Sequence, residues 1–306
     1  MTARHPSVAR RKAPGSGRRL LPYAIIFPGV AFYGLFAIYP LLKQIQISFF
    51  NWNIMPGAIS PFVGLANYIQ ALHDPVLGTA LVNTLLYVLA TVPPQMILGF
   101  LAAQVVHRHL PARGLWRTLI YLPVITSWVV VSYMFSYIFN AEGGAVNALL
   151  ADFFGPGFSI YWLQNTWTAF VVIWLLAVWK GFGWSMVMFL AGLSGLPREV
   201  LEAGSIDGAA GIRHWWNVTL PMMWNTVSFV VVMLVMGGVQ AFISIYLMTG
   251  GGPVNSTQVI LTYTYQQAFS FFNFGYSGAM ATMVGVVLLM VSIWEIRMLR
   301  RTWTVG

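Results

Sequence analysis

Six long apolar stretches, roughly 22–42, 79–106, 118–139, 166–191, 225–248 and 278–296, carry only two charges between them: Lys180 in the fourth and Glu295 at the very end of the sixth. A bilayer core of about 30 Å is crossed by a helix of about 20 apolar residues, so each stretch is long enough to span it. A β-barrel would need shorter segments in which polar and apolar residues alternate, and runs such as Val227–Leu234 do not alternate. The whole chain of 306 residues is 58% hydrophobic and 8% charged, against about 25% charged in soluble domains. The expected fold class is an all-α membrane protein of six transmembrane helices, with residues 20–302 forming one domain.

Short loops rich in lysine and arginine stay on the cytoplasmic side. Apart from Lys43 and Lys180, these residues fall in four places. They are the tail (Arg4, Arg10, Arg11, Lys12, Arg18, Arg19), the connection between the second and third stretches (Arg108, Arg113, Arg117), that between the fourth and fifth (Arg198, Arg213), and the end (Arg297, Arg300, Arg301). With six spans all four lie on one side, so both termini are expected in the cytoplasm. The opposite loops, about 44–78, 140–165 and 249–275, carry Lys43, Asp74, Glu142 and Asp152. Topology thus accounts for the net charge of +9, and nucleic acid is not needed as a partner. Residues 1–19 read as a disordered basic tail, either attracted to anionic membrane lipids or simply solvated. A signal peptide would also begin with basic residues before an apolar run. This run is too long and has no small-x-small cleavage site, and Pro40 and Lys43 close it like a helix. Cysteine is absent, which excludes a disulfide framework, a thiolate metal site and a cysteine nucleophile.

One connection is unlike a simple loop. Leu196-Pro197-Arg198-Glu199-Val200-Leu201-Glu202-Ala203-Gly204-Ser205-Ile206-Asp207-Gly208-Ala209-Ala210 runs on to Val218-Thr219-Leu220-Pro221 and holds Glu199, Glu202 and Asp207 of the chain's seven carboxylates. Pro197 suits the first turn of a helix, and Glu199 and Glu202 suit its positive end. Gly208 permits a turn, after which Ala209–Trp216 can form a second short helix with Trp215 and Trp216 on its flank.

Glu202-Ala203-Gly204, three residues, Gly208, nine residues, then Val218-x-Leu220-Pro221 resembles the EAA loop of ABC importer permeases, E-A-A-x3-G-x9-I-x-L-P. Gly192-Leu193-x3-Pro197 and Ile206-Asp207-Gly208-Ala209 are similar to the same family. Gly204 departs from the second alanine and loosens a helix by about 1 kcal/mol; Val218 replaces isoleucine conservatively. Gly64-Leu65-x-Asn67-Tyr68, Asp74-Pro75, Ala80-Leu81-x-Asn83-Thr84, Arg117-x4-Leu122-Pro123 and Thr249-Gly250-Gly251-Gly252-Pro253 resemble the first permease of maltose- and glycerol-phosphate-type systems. The resemblance implies a type I importer permease in the cell inner membrane, with spans 2–6 as its core and span 1 peripheral. It also implies a second permease subunit, ABC ATPase subunits and an extracytoplasmic solute-binding protein. Glu202, Ala203, Gly204, Asp207, Gly208, Ala209, Arg213, Leu220 and Pro221 would then couple the chain to its ATPase. No Gly-x4-Gly-Lys-Ser/Thr phosphate cradle occurs in the sequence, so ATP and Mg belong to that partner and this chain binds no cofactor of its own.

A lysine at the centre of a span costs about 2.5–3.5 kcal/mol on insertion scales, so Lys180 must face protein or water. It could meet solute hydroxyls or a phosphate, or tether a carbonyl or headgroup. The resemblance to maltose-type permeases places sugar-lining positions at Gly181 and Trp184 in span 4 and at Leu234, Gly237, Gly238 and Ala241 in span 5. Gln240 is the nearest amide. Gly237-Gly238 could equally serve close helix packing, and Asn83 and Gln95 suit hydrogen-bonded contacts between helices.

Two other classes fit less well. Gly192-Leu193-Ser194-Gly195 resembles the Gly-x-Ser-Gly of rhomboid intramembrane proteases, but every histidine (His5, His73, His107, His109, His214) lies outside the apolar stretches, where none can act as base. A secondary transporter would usually place ion-coupling carboxylates at mid-depth, and no stretch carries one there. The chain is therefore read as a transport subunit and not as an enzyme.

Overall fold

Inside a bilayer the peptide groups must bond to one another, and an apolar stretch meets that demand by coiling into a helix. The computed structural model describes residues 16–55, 57–107, 111–197, 199 and 215–302. Helices long and apolar enough to cross a membrane are Ile25–Ile47 (span 1), Pro75–His107 (span 2), Thr166–Ser194 (span 4), Trp224–Met248 (span 5) and Phe274–Trp294 (span 6). The third stretch is not one continuous helix as expected. Arg113–Ile125 and Trp128–Ile138 meet at 91°, and six spans result when this bent pair is counted as span 3. Among the described residues the β pairing is a single bridge, Phe50 to Phe62.

The helix of span 1 already begins at Ser16 and passes through a π turn at Gly34–Ile38 just before Pro40. A second π turn, Trp215–Thr219, stands just before Pro221. Proline has no N–H to give, and in both places the backbone widens by a residue immediately upstream. No residue in the most apolar window of span 1 is buried. A helix that is apolar all round and buries nothing requires lipid or another helix around it. The outward faces of the other spans agree, with Leu81, Leu85, Leu89, Ile97 and Leu101 of span 2 all exposed.

Spans 2 and 4 pack together along their length and form the centre of the molecule. Their approach depends on small residues: a Cβ on Gly99 would strike Ser185 and the Phe182 carbonyl. Gly183 likewise lets span 4 rest directly on span 3, because a Cβ there would meet the backbone oxygen of Ile120. Phe100, Phe189, Met186 and Met223 are buried on one side of this pair, and Tyr87, Ile173, Leu176 and Ile245 on the other.

Three longer loops, between spans 1 and 2, 3 and 4, and 5 and 6, share one face of the helices, and buried carboxamides tie each of them down. Asn67 donates to the Ser48 and Phe50 carbonyls at 2.8 and 3.1 Å. Asn147 accepts from the Trp162 indole at 2.9 Å and donates to the Ile160 carbonyl at 3.0 Å. Asn83 of span 2 donates to the carbonyls of Ser256 and Gln258, both at 2.8 Å, so it ties a helix to a loop and not to another helix as expected.

Asp74 closes the same face. Its Oδ1 accepts from the backbone N–H groups of Val76 and Leu77 and caps span 2. Its Oδ2 accepts from the hydroxyls of Tyr263 and Tyr276, each at 2.6 Å. Burial raises the carboxyl pKa, but the two tyrosines and the two amides outweigh it and hold Asp74 below its ordinary 3.8. Burial, reinforced by Asp74, pushes Tyr263 up to about 12, so its hydroxyl stays a donor at neutral pH. A group with a lowered folded pKa contributes stability that is complete above its ordinary value and lost as the pH falls through the lowered one. Asp74→Asn is expected to cost about 1.5–3 kcal/mol, the scale of hydrogen bonds to a charged group. Thermal unfolding in detergent should show that difference constant from neutral pH to about pH 5 and shrinking only in stronger acid.

Candidate functional site

A cavity of about 540 Å³ lies among spans 2, 3, 4 and 5. Two of the helices that line it are broken where they meet it. Span 3 stops at Ile125, runs extended through Thr126 and Ser127, and restarts at Trp128. Span 5 stops at Val239 and restarts at Ile243. Non-helical backbone at membrane depth is tolerated where it is buried in protein or lines a water-filled space, and discontinuous spans are where membrane transporters place their sites. Both breaks meet at this cavity, and Phe242 of the span 5 break also lines a second groove beside span 1.

Lys180, Gly181, Trp184, Leu234, Gly237, Gly238, Gln240 and Ala241 all line this one cavity. Sequence reasoning did not single out Tyr87, Thr91, Val124, Trp128, Met233 or Ser244, which complete much of its wall. Ser127 directly before Trp128 is a residue type that favours helix starts and could have signalled the second half of span 3.

Gln95 stands on the cavity wall opposite Gly181. A Cβ at Gly181 would run into its carboxamide, so the glycine makes room for the amide. Span 2 continues as one helix through Pro93 and Pro94. The two span 5 glycines divide the roles considered for them. A Cβ on Gly238 would lie 2.9 Å from Val88 Cγ2, whereas one on Gly237 would meet nothing within 4 Å. Gly238 is thus a packing residue and Gly237 opens onto the cavity.

Lys180 is 3% exposed. Its ammonium donates to the carbonyls of Pro123 at 2.8 Å, Val124 at 3.2 Å and Thr126 at 2.6 Å. These carbonyls lie where the first half of span 3 ends and helical acceptors are left open. Of the two roles considered for this lysine, the geometry is that of the carbonyl tether. Trp179 packs against Phe135, with ring centroids 5.8 Å apart, and Trp184 faces Phe229 at 6.4 Å.

Of the loop motif, Glu202, Ala203, Gly204, Asp207, Gly208, Ala209 and Arg213 lie outside the described residues. Leu220 and Pro221 are in the short helix that leads into span 5. Just upstream, Trp215 rests on Phe100 of span 2, with centroids 5.0 Å apart, and Phe100 in turn meets Phe189 of span 4 at 5.5 Å. The end of this loop is thus in ring contact with the central helix pair.

Comparison with known proteins bears on the same elements. Residues 95–304 match the family described as binding-protein-dependent transport system inner membrane component. The chain is 31% identical over 285 residues to the probable ABC transporter permease protein YurN of Bacillus subtilis, covering 91% of this chain and 96% of that protein. It is 32% identical to the lactose transport system permease protein LacF of Rhizobium radiobacter, covering 89% and 90%. It is 30% identical to the sulfoquinovosyl glycerol transport system permease protein SmoG of Agrobacterium fabrum, covering 93% and 92%. Its fold is similar to a chain of a bacterial ABC transporter that imports alginate, with a TM-score of 0.78 and 21% identity over 93% of this chain and 96% of that one.

Proposed function

Since the chain belongs to the family of binding-protein-dependent transport system inner membrane components, the permeases of ABC importers, we propose that it forms one half of an ATP-driven import path for a carbohydrate. The observation that carries this reading is the cavity at the two broken spans, which presents indole faces (Trp128, Trp184) beside amides (Gln95, Gln240). Aromatic faces stack on the apolar faces of sugar rings while amides and hydroxyls bond their oxygens, the mixture expected of a small-molecule site of this size. The relatives named for lactose, a neutral disaccharide, and for sulfoquinovosyl glycerol, a sulfonated glycoside, support a carbohydrate and leave its charge open.

In this reading both termini and the 196–221 loop face the cytoplasm, as the basic clusters indicate. The loop docks on a separate ATPase that holds ATP and Mg, a second permease completes the path, and a solute-binding protein delivers the sugar to the opposite face. ATP binding draws the coupling loops together and rocks the spans between two access states. Inverting a strongly biased population requires about 5.5 kcal/mol of differential affinity, which nucleotide binding at the partner supplies. Uptake driven by ATP and indifferent to collapse of ion gradients is the expected result; uptake that follows an ion gradient would favour a secondary transporter.

The glycine pair tests the path itself. Gly237→Trp projects into open space and is expected to abolish uptake while leaving the protein's abundance in the membrane unchanged, whereas Gly237→Ala should transport nearly normally. Gly238→Leu drives a side chain into Val88 and is expected to lower abundance instead, with overpacking costing about 1–3 kcal/mol. Immunoblots of membranes alongside labelled-sugar uptake separate the two effects.

A further inference from the structure

The cavity lining contains no carboxylate, arginine or histidine among the described residues, and Lys180 is its one charged side chain. An ammonium has three protons to donate, and the three carbonyls at the end of the first half of span 3 take them, at 2.6 to 3.2 Å. The Thr126 hydroxyl stands beside them at 3.5 Å. The same Nζ lies 5.0 Å from the centroid of the Trp128 ring, within reach of a cation–π attraction. Trp128 opens the second half of span 3, remains 36% exposed, and lines the cavity. The Pro123 carbonyl also accepts from the Thr126 hydroxyl at 2.6 Å, so for Lys180 to reach a solute it would have to abandon chiefly the Val124 and Thr126 carbonyls, a penalty that is severe away from water.

We propose that Lys180 is a positioning residue: it holds the break in span 3, fixes Trp128 as a stacking face, and leaves this chain's side of the path without a free charge, which suits this half of the path to an uncharged saccharide. This inference rests on the carbohydrate-import reading above and narrows it. Its mechanical content is that Lys180 acts through Trp128, so removing either one disables the same surface.

The test is uptake by cells carrying the whole transport system, using labelled neutral disaccharides and their uronate counterparts as probes. The wild type is expected to take up a neutral disaccharide and not its uronate. Lys180→Met is expected to lower that uptake roughly tenfold or more, as for loss of a set of charged hydrogen bonds. Lys180→Arg, which keeps a cation and its donors, should restore most of it. Trp128→Ala should cause a similar loss, and the double variant should be no worse than the weaker single one, because groups acting as a unit are non-additive. A purely structural lysine would instead give losses that multiply, and that outcome overturns the positioning role. Uptake of the uronate that is lost selectively in Lys180→Met would show an ammonium free to bind solute, and overturns the inference while leaving the import function intact. Failure of the assembled system to take up any labelled mono-, di- or oligosaccharide, neutral or acidic, would overturn the carbohydrate reading itself.

Discussion

Gly208→Pro and Glu202→Lys are expected to abolish solute uptake while the protein remains in the membrane at its normal level. Both positions belong to the EAA-like loop between spans 4 and 5, outside the described residues. Neither is in a segment that must insert into lipid. Proline at 208 removes an N–H and fixes the backbone where the sequence provides its most permissive residue. Lysine at 202 puts positive charge where the sequence favours the start of a helix and so a negative charge, and reverses whatever charge the docking partner meets. Disrupting a docked charge pair costs on the order of 2–5 kcal/mol, which is about thirty-fold to several-thousand-fold in affinity. The measurement is uptake together with membrane immunoblots and retention of the ATPase during purification. Normal transport by both variants would remove the coupling role from this loop.

Gly183→Leu is expected to have the largest effect on the folded protein itself. The neighbour of a Cβ at this position is the backbone oxygen of Ile120, with Val124 Cγ2 at 3.0 Å, and a backbone oxygen cannot swing aside like a side chain. The first half of span 3 would have to move off span 4. Lys180, one turn away on the same helix, would then lose its grip on the Pro123, Val124 and Thr126 carbonyls. The combined cost is expected at about 3 kcal/mol or more, the upper part of the range for overpacking, seen as a lowered melting temperature in detergent and a reduced amount of protein in the membrane. Gly183→Ala should fall between the two.

The positions of the helices were legible in the sequence because a bilayer leaves an apolar stretch of this length few alternatives. Spans 2, 4, 5 and 6 lie where hydropathy puts them, with ends shifted by a few residues, such as Pro75 for span 2. The right-angle bend of span 3 was not legible, and the reason is physical. The Thr126 hydroxyl meets the Pro123 carbonyl locally, but the Val124 and Thr126 carbonyls are met by Lys180, a residue of another span, and local sequence does not say which distant donor will be available. Pro123 and Ser127 carry a local trace of the break, but each is also compatible with a continuous membrane helix.

The candidate site was legible only in part. The positions suggested by resemblance, from Gly181 to Ala241, gather around one cavity, but the resemblance could not say which of two adjacent glycines opens onto it. That depended on Val88 standing against Gly238. Trp128 escaped notice because it belongs to the cavity only through the bend that the sequence hid. Asp74 was noted for the company it keeps in sequence and not for the two tyrosine hydroxyls it accepts, both from segments about two hundred residues away.

Affinity purification of the tagged chain from membranes in mild detergent, with mass spectrometry of what accompanies it, tests the importer assignment most directly. An importer permease should bring with it a second permease and an ABC ATPase, and Gly208→Pro should lose the ATPase while keeping the second permease. Recovery of this chain alone, or only as a homo-oligomer, from membranes that still take up the sugar would contradict it.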